Sequence, residues 1–244
     1  MQFRKLACAG WMVGFLALSG TARAQSATAG ATADPNVTQR LPGGEILPRT
    51  IPIFPLPDVM LFPNTTRPLY IFEPRYRAMV ADALMGDRII GMVQLRPGYE
   101  ADYEGRPPVY PIGCAGVITD VEEMPDGRYG ILLRALVKFR VTSEDQSREY
   151  RMARVDPLPE MTNDTDSAAL RKQRPRLEAL LAASAAPGSK PPPADLPDED
   201  LVNGLAQYLP IDPADRQALL EREGALSRSQ ALLDLLEKKG PPPR

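Results

Sequence analysis

Carboxylates and lysines are the side chains that could carry out chemistry in this chain, because its 244 residues include no histidine. Two acidic runs, Glu122-Glu123 and Asp198-Glu199-Asp200, could act as acid and base or bind calcium. However, adjacent strand residues point to opposite faces, and acidic residues at a helix start interact favourably with the helix dipole. The runs therefore favour structural roles over a carboxylate-based hydrolase.

Most nucleophile and cofactor motifs are absent. Without histidine, the sequence cannot form Ser-His-Asp or Cys-His pairs or a His-Glu-x-x-His zinc helix. It also lacks the Gly-Lys pair of a phosphate-binding loop and the Gly-x-Ser-x-Gly elbow. Ser-Lys chemistry stays open as an alternative, but Lys138 and Lys172 lie in no recognisable serine motif. We predict no catalytic residue, no metal site and no cofactor.

Cys114 is the only cysteine besides Cys8, which lies near the N-terminus. It is surrounded by Ile112, Ala115 and Val117 at the start of an apolar segment. Free cysteine is among the most frequently buried residue types. The sequence therefore predicts a buried thiol in preference to a reactive or intermolecular one.

The segment Glu73-Pro74-Arg75-Tyr76-Arg77 combines three charges with an aromatic ring. Glu73 could cap a helix or pair with Arg77, which would make the segment a structural clasp. Arginine and tyrosine are also enriched in binding hot spots, so a recognition surface is the alternative. The sequence favours the structural role.

Three apolar runs precede this segment: IPIF from Ile51, VMLF from Val59 and PLYIF from Pro68. They are rich in β-branched and aromatic residues and are separated by proline turns, which is typical of strands. Pro74 suits the first position of a helix, and apolar residues then recur at helical spacing as far as Gly86.

The following region also has strand character. Arg88–Leu95 and Val109–Glu122 are apolar, Pro125-Asp126-Gly127 is typical of a hairpin turn, and Tyr150–Val155 ends the region. In the strand after the turn, the alternation predicts that Val137, Phe139 and Val141 point inward and that Lys138, Arg140 and Thr142 point outward. Because closure removes exposed strand edges, we expect a closed or nearly closed β barrel with one internal helix.

Residues 159–240 have a helical pattern. Pro175 is expected to open or kink a helix, and the proline-rich tract 187–197 to form a stiff linker. Leucines then recur at helical spacing from Leu201, Asp212-Pro213 is expected to start a short helix, and Ser227–Lys239 a last one. These segments predict a small C-terminal helical subdomain that packs against the barrel.

The N-terminus has the pattern of a secretory signal. Residues 1–24 contain basic residues, an apolar core and the cleavage pattern Ala22-Arg23-Ala24. We therefore expect a periplasmic or secreted protein without a stable membrane span after cleavage, with residues 25–48 as a flexible leader. Cleavage would remove three positive charges and no negative ones, which changes the formal charge from −2 to −5. Such a chain is a poor partner for nucleic acid.

The motifs between Thr50 and Leu158 resemble the substrate-binding N-terminal domain of Lon protease, in a stand-alone bacterial form without ATPase and peptidase domains. The resemblance rests on LPDVMLFP from Leu56, PLYIFEPRYR from Pro68, the Ile-Gly-Cys at Ile112, and the segment from PDGRYGI to KFRV. Tyr70 departs from the family, where a histidine is expected. The resemblance implies an α+β fold with a barrel of the PUA-like type (pseudouridine synthase and archaeosine transglycosylase) over 49–158.

The same resemblance implies protein-substrate binding. The predicted function is an exported, non-catalytic module that binds unfolded or apolar segments of envelope proteins, as a holdase or as an adaptor for a separate protease. A hydrolase and a small-ligand binder that uses the barrel interior are the alternatives. The predicted binding-surface residues are Leu61, Phe62, Tyr70, Phe72, Arg75, Tyr76 and Arg77.

Overall fold

The computed structural model describes residues 38–103, 105–184 and 192–239, so the predicted signal peptide lies outside the described residues. The strands are β1 (Thr38–Arg40), β2 (Ile46–Pro48), β3 (Thr50–Leu56), β4 (Thr66–Ile71), β5 (Ile89–Gln94), β6 (Ile112–Glu123), β7 (Tyr129–Asp145) and β8 (Arg151–Leu158). The α-helices are α1 (Pro74–Met85), α2 (Asp164–Ser184), α3 (Asp198–Tyr208), α4 (Pro213–Leu220) and α5 (Gly224–Lys239). A short 3₁₀ helix spans Tyr99–Asp102. The predicted mixture of strands and helices is confirmed.

The main sheet has the strand order β4-β7-β6-β5-β3-β8, and β8 pairs in addition with β7. β3 and β5 are parallel, and the other neighbours are antiparallel. The long strand β7 makes this pairing possible: its first half pairs with β4, and its second half pairs with β8 from Lys138 onward, with a register shift after Val141. Pairing thus runs from β7 through β6, β5, β3 and β8 back to β7, while β4 is added at the side.

The space between these strands is filled by side chains. Phe139, Ile51 and Val155 are buried there, as the alternating pattern of their strands requires. Gly113 lets the Phe139 ring approach the backbone, because a Cβ at Gly113 would overlap the Met92 carbonyl oxygen and lie 2.8 Å from Phe139 Cζ. This packing does not support the alternative that the protein binds a small ligand in its interior, because such binding needs an open interior.

Helix α1 begins and ends where the sequence predicts. Pro74 occupies its first turn and Gly86 follows its last residue. Its buried face consists of Tyr76, Met79, Val80 and Ala83, which are three, four and seven residues apart.

The prediction that residues 25–48 form a flexible leader is wrong for the last part of that range. Thr38–Arg40 and Ile46–Pro48 pair as a short antiparallel hairpin. Leu41 and Leu47 are buried against the cluster that contains Ile51 and Phe139. The segment has few apolar residues, but two leucines suffice because they pack on a core that the other strands have already formed.

Helices α2 to α5 pack together and against the strands. Met60, Phe62 and Ile112 share a buried cluster with the leucines of these helices, and the described residues belong to one compact unit. Pro175 lies inside α2 and therefore does not open it, and α5 begins at Gly224, three residues before the predicted Ser227. Residues 187–191 of the predicted linker lie outside the described residues. Within the described ranges, no helix combines the length and apolarity that a membrane crossing requires.

Lys138 does not point to solvent as predicted. Its side chain is buried, and Nζ lies 2.6 Å from Glu160 Oε1. Nζ also donates hydrogen bonds to the carbonyl oxygens of Leu220 and Arg222, at 3.1 and 2.6 Å. The alternation along β7 assumes solvent on its outer face, whereas the end of α4 covers that face at Lys138. Burial lowers the pKa of Lys138 against the opposing effect of Glu160.

Candidate functional site

An apolar groove of about 460 Å³ lies beside β4. One side is formed by β4 itself from Arg67 onward, and the other by the segment Leu56–Val59 that follows β3. Both walls belong to the apolar runs that proline turns separate in the sequence. These turns bring consecutive strands to the same end of the sheet. The groove is lined chiefly by aromatic and aliphatic side chains: Phe54, Leu56, Val59, Leu69, Tyr70, Phe72, Tyr76, Tyr103 and Tyr208.

Exposed aromatic rings are concentrated at this groove. Tyr70 is 46%, Phe72 60% and Tyr208 56% exposed, and the remaining large exposed apolar residues of the described chain do not line this groove. The Tyr70 and Phe72 ring centroids are 6.3 Å apart. Clustered apolar surface usually marks an interaction site, whereas single exposed apolar residues are common on any protein.

The floor of the groove is rigid. Tyr76, in the first turn of α1, is buried, and its ring centroid lies 4.5 Å from that of Phe54. Burial raises the pKa of Tyr76 to about 12, so the phenol stays neutral at physiological pH. A neutral ring held between a helix and a strand offers a fixed apolar surface to a ligand.

One end of the groove is closed by a cluster around Glu73. Arg75 Nε donates a hydrogen bond to Glu73 Oε2 at 3.1 Å, and the Tyr103 hydroxyl donates one to Glu73 Oε1 at 3.0 Å. The Arg75 guanidinium also lies 4.7 Å from the Tyr76 ring centroid. Glu73 thus pairs with Arg75 and not with Arg77. The cluster is a structural clasp, as the sequence favours, and it also forms part of the groove wall.

The other end is closed by the last turn of α3. The Tyr208 hydroxyl and the Gln207 side-chain amide both donate hydrogen bonds to the Thr66 carbonyl oxygen, at 2.6 and 2.9 Å. Gln207 Oε1 in turn accepts hydrogen bonds from the Phe62 amide and the Thr65 hydroxyl. These contacts fix the helical part of the molecule against the start of β4.

The structure brings together part of the predicted binding surface. Tyr70, Phe72 and Tyr76 line the groove. Arg75 lies at its end and borders a smaller adjoining cavity of about 210 Å³.

The other predicted surface residues lie away from the groove. Leu61 and Phe62 are fully buried, so the prediction that they contact a partner is wrong. The Arg77 guanidinium packs against Gly127 in the β6–β7 hairpin, away from the groove. Sequence reasoning missed Tyr103 and Tyr208, whose positions in the groove depend on long-range contacts that no local pattern indicates.

The residues considered for chemistry have other surroundings. The Cys114 thiol is buried as predicted, and burial raises its pKa, which disfavours the reactive thiolate. The run from Asp198 lies in the first turn of α3, and Asp198 Oδ1 accepts a hydrogen bond from Arg174 at 2.8 Å. Across the described residues, no group of cysteine and acidic side chains has the arrangement of a metal site. These positions support structural roles.

Comparison with known proteins identifies relatives over most of the chain. A family model described as the ATP-dependent protease La (LON) substrate-binding domain matches residues 50–238. Lon protease 2 of Myxococcus xanthus is 26% identical over 201 residues, which cover 80% of this chain and 24% of that protein. Lon protease of Escherichia coli K12 is 23% identical over 198 residues, which cover 78% of this chain and 25% of that protein. The chain thus spans about a quarter of the length of these curated relatives.

Solved structures show the same fold. The N-terminal domain of the Mycobacterium avium complex Lon protease aligns with a TM-score of 0.58 and 16% identity over 77% of this chain and 98% of that chain. A Lon N-terminal domain protein from Xanthomonas campestris aligns with a TM-score of 0.53 and 23% identity over 76% and 97%. The family model covers well over half of the chain, and the fold agrees with it. The chain therefore belongs to the family of the Lon substrate-binding domain.

Proposed function

We propose that this protein is an exported, non-catalytic module that binds extended apolar segments of other proteins in the groove beside β4. The observation that carries the proposal is the concentration of exposed aromatic rings, Tyr70, Phe72 and Tyr208, on one rigid groove. Aromatic residues around a concave apolar surface are typical of binding hot spots.

Family membership supports protein substrates as the ligand class, because the matching domain is described as substrate-binding. The signal pattern of residues 1–24 supports export, and hence unfolded envelope proteins as clients. A holdase, or an adaptor that delivers clients to a separate protease, would both use such a groove.

The ring of strand pairing supports a finer assignment of the fold. We interpret the five strands from β7 through β6, β5 and β3 to β8 as a closed barrel of the PUA-like type. In this interpretation β4 extends the barrel wall at one side, which leaves a strand edge next to the groove. A closed ring also keeps the groove walls fixed in relation to each other.

Binding can be tested by fluorescence anisotropy of a labelled polypeptide that chemical modification keeps unfolded, with the unmodified, folded form of the same polypeptide as the control. We expect saturable binding of the unfolded form and little binding of the folded one, without nucleotide. Addition of ATP should leave the affinity unchanged. Absence of binding to either form, or equal binding to both, would overturn the proposal.

Truncation of the exposed rings should weaken this binding. We expect Phe72→Ala and Tyr70→Ala each to lower the affinity by about tenfold or more, because aromatic anchors dominate most interfaces. Both side chains are largely exposed, so folding should be little affected. The matched control is Met85→Ala, since Met85 is 81% exposed at the end of α1 and does not line the groove. Equal losses in Met85→Ala and Phe72→Ala would exclude the groove as the site.

A further inference from the structure

We propose that the groove binds its partner by strand addition: an extended peptide pairs with the free edge of β4 and places a carboxylate beside Arg67. The inference rests on the proposed function of the groove. It adds the binding geometry and the chemical class of the peptide.

The backbone of β4 determines which groups face the free edge. The Ala135 amide donates a hydrogen bond to the Thr65 carbonyl oxygen at 2.9 Å, so Thr65 faces β7. Backbone groups alternate along a strand, and the groups of Thr66, Pro68 and Tyr70 therefore point away from β7. The hydrogen bonds that Thr66 O accepts from Tyr208 and Gln207 agree with this direction.

Only some of the backbone groups on the free edge of β4 are available for hydrogen bonds to an added strand. The Thr66 carbonyl is occupied, and Pro68 has no amide hydrogen. The Thr66 amide, the Pro68 carbonyl and both backbone groups of Tyr70 remain to pair with an added strand, and no neighbouring strand in the described chain covers this edge. Pro68 also restricts unspecific pairing, because proline on an edge strand removes one donor.

The groove beside this edge sets the side-chain pattern. Alternate residues of an added strand point to the same face, so every second side chain would enter the groove. There it would meet Leu56, Val59 and Phe72, which are apolar. The intervening side chains would face solvent and are free to be polar.

The charge at the Tyr208 end favours an acidic group. The Arg67 guanidinium lies 5.2 Å from the Tyr208 ring centroid and has no ion pair within the described chain. Arg216 is not among the residues that line the groove: it donates hydrogen bonds to the carbonyl oxygens of Asp58 and Leu209, and its Nε is buried.

Arg67 lines the groove and makes no ion pair within the described chain, so its guanidinium is available to a negatively charged group of the ligand. A carboxylate is the group that guanidinium binds best, since it can accept two parallel hydrogen bonds. The occupant is therefore an extended segment with apolar residues at alternate positions and a carboxylate at one end, from either an acidic side chain or the peptide terminus.

Strand addition can be tested with labelled peptides that alternate valine and threonine and carry one glutamate at either end. Each backbone amide is N-methylated in turn, and the affinity of the purified protein is measured by anisotropy. We expect a period of two: methylation of alternate amides should weaken binding by about fivefold or more, with little effect at the intervening amides. Equal effects at all positions would overturn strand addition.

The carboxylate can be tested by a double-mutant cycle between Arg67→Gln and a peptide with glutamine in place of glutamate. Each single change should lower the affinity by about fivefold, and the two together by no more than either alone. Amidation of the peptide terminus distinguishes a terminal carboxylate from a side chain. Arg140→Gln is the control, because Arg140 is exposed on β7 and does not line the groove. Additive losses would overturn the assignment of Arg67.

The possible failures are distinguishable. If neither unfolded proteins nor peptides bind, the proposed function fails. If peptides bind but N-methylation shows no period of two, the function stands and strand addition fails. A second copy of the chain could also pair with this edge. A dimer in sedimentation velocity that Tyr70→Pro abolishes would assign the edge to self-association and overturn peptide addition.

Discussion

Replacing Glu160 with glutamine should lower the free energy of unfolding by about 3–5 kcal/mol, the usual cost of leaving a buried charge without its partner. Glu160 pairs with two buried cations, Lys138 and Arg228. Arg228 also donates hydrogen bonds to Asn203 and to the Leu219 carbonyl. The substitution would leave both cations, whose side chains are at most 5% exposed, without their common counter-charge.

Urea unfolding at neutral pH measures this loss, with Glu223→Gln as the matched control because Glu223 is exposed nearby. A loss below about 1 kcal/mol in Glu160→Gln would show that the pairing is not maintained in solution.

The contribution of Glu160 to the free energy of unfolding should depend on pH. Burial raises the pKa of Glu160, but the charges and hydrogen bonds of Arg228 and Lys138 outweigh it, so that the net pKa is lowered. A group with a lowered pKa in the folded state stabilises the protein above its unfolded pKa, about 4.3 for glutamate. This contribution is lost as the pH falls through the folded pKa. The stability difference between wild type and Glu160→Gln should therefore narrow only in acid.

Gly113→Ala should destabilise the strand core by about 3 kcal/mol, at the upper end of the usual cost of overpacking. The added methyl group would overlap the Met92 carbonyl oxygen and contact Phe139 and Val93 at 2.8 Å. Because a backbone atom is among the contacts, rotation of side chains cannot relieve the overlap.

The matched control is Gly204→Ala in α3, where an added Cβ would meet no atom within 4 Å beyond its chain neighbours and the adjacent backbone of the helix. Alanine has the higher helix propensity, so this variant should gain about 0.5–1 kcal/mol. Both changes can be measured by urea unfolding. Equal stability of Gly113→Ala and wild type would mean that the strands are packed less closely than the structure shows.

The ion pairs around Glu160 and the strand core around Gly113 both matter for the groove. The ion pairs of Lys138, Glu160 and Arg228 connect the strands to the helices, and α3 carries Tyr208 to the groove. Loss of this connection would release one end of the site. Binding in the groove therefore depends on a folded helical part as well as on β4.

Local signals in the sequence were sufficient for several elements. The start of α1 at Pro74 and the hairpin at Pro125-Asp126-Gly127 depend on residues that are adjacent in the chain, so pattern and turn chemistry predict them correctly. The Lon-domain resemblance is confirmed by the family model. Tyr70 and Phe72 were included in the predicted surface because they belong to an apolar strand next to a turn.

Long-range packing explains the errors. The apolar runs could not indicate that helices α3 to α5 cover Phe62, or that Glu160 compensates the charge of Lys138 beneath α4. The burial of Phe62 and of Lys138 depends on contacts between the strand region and a helical region much later in the chain. For the same reason no local pattern connects Tyr208 with Thr66. Export to the periplasm stays a prediction.

Photocrosslinking can locate the bound polypeptide on the protein surface. Phe72, inside the groove, and Met85, outside it, are each replaced by p-benzoylphenylalanine, and each protein is irradiated with a labelled unfolded polypeptide. We predict a crosslink from position 72 that excess unlabelled polypeptide suppresses, and none from position 85. A crosslink from position 85 with none from position 72 would show that unfolded chains bind elsewhere and that the groove beside β4 is not the binding site.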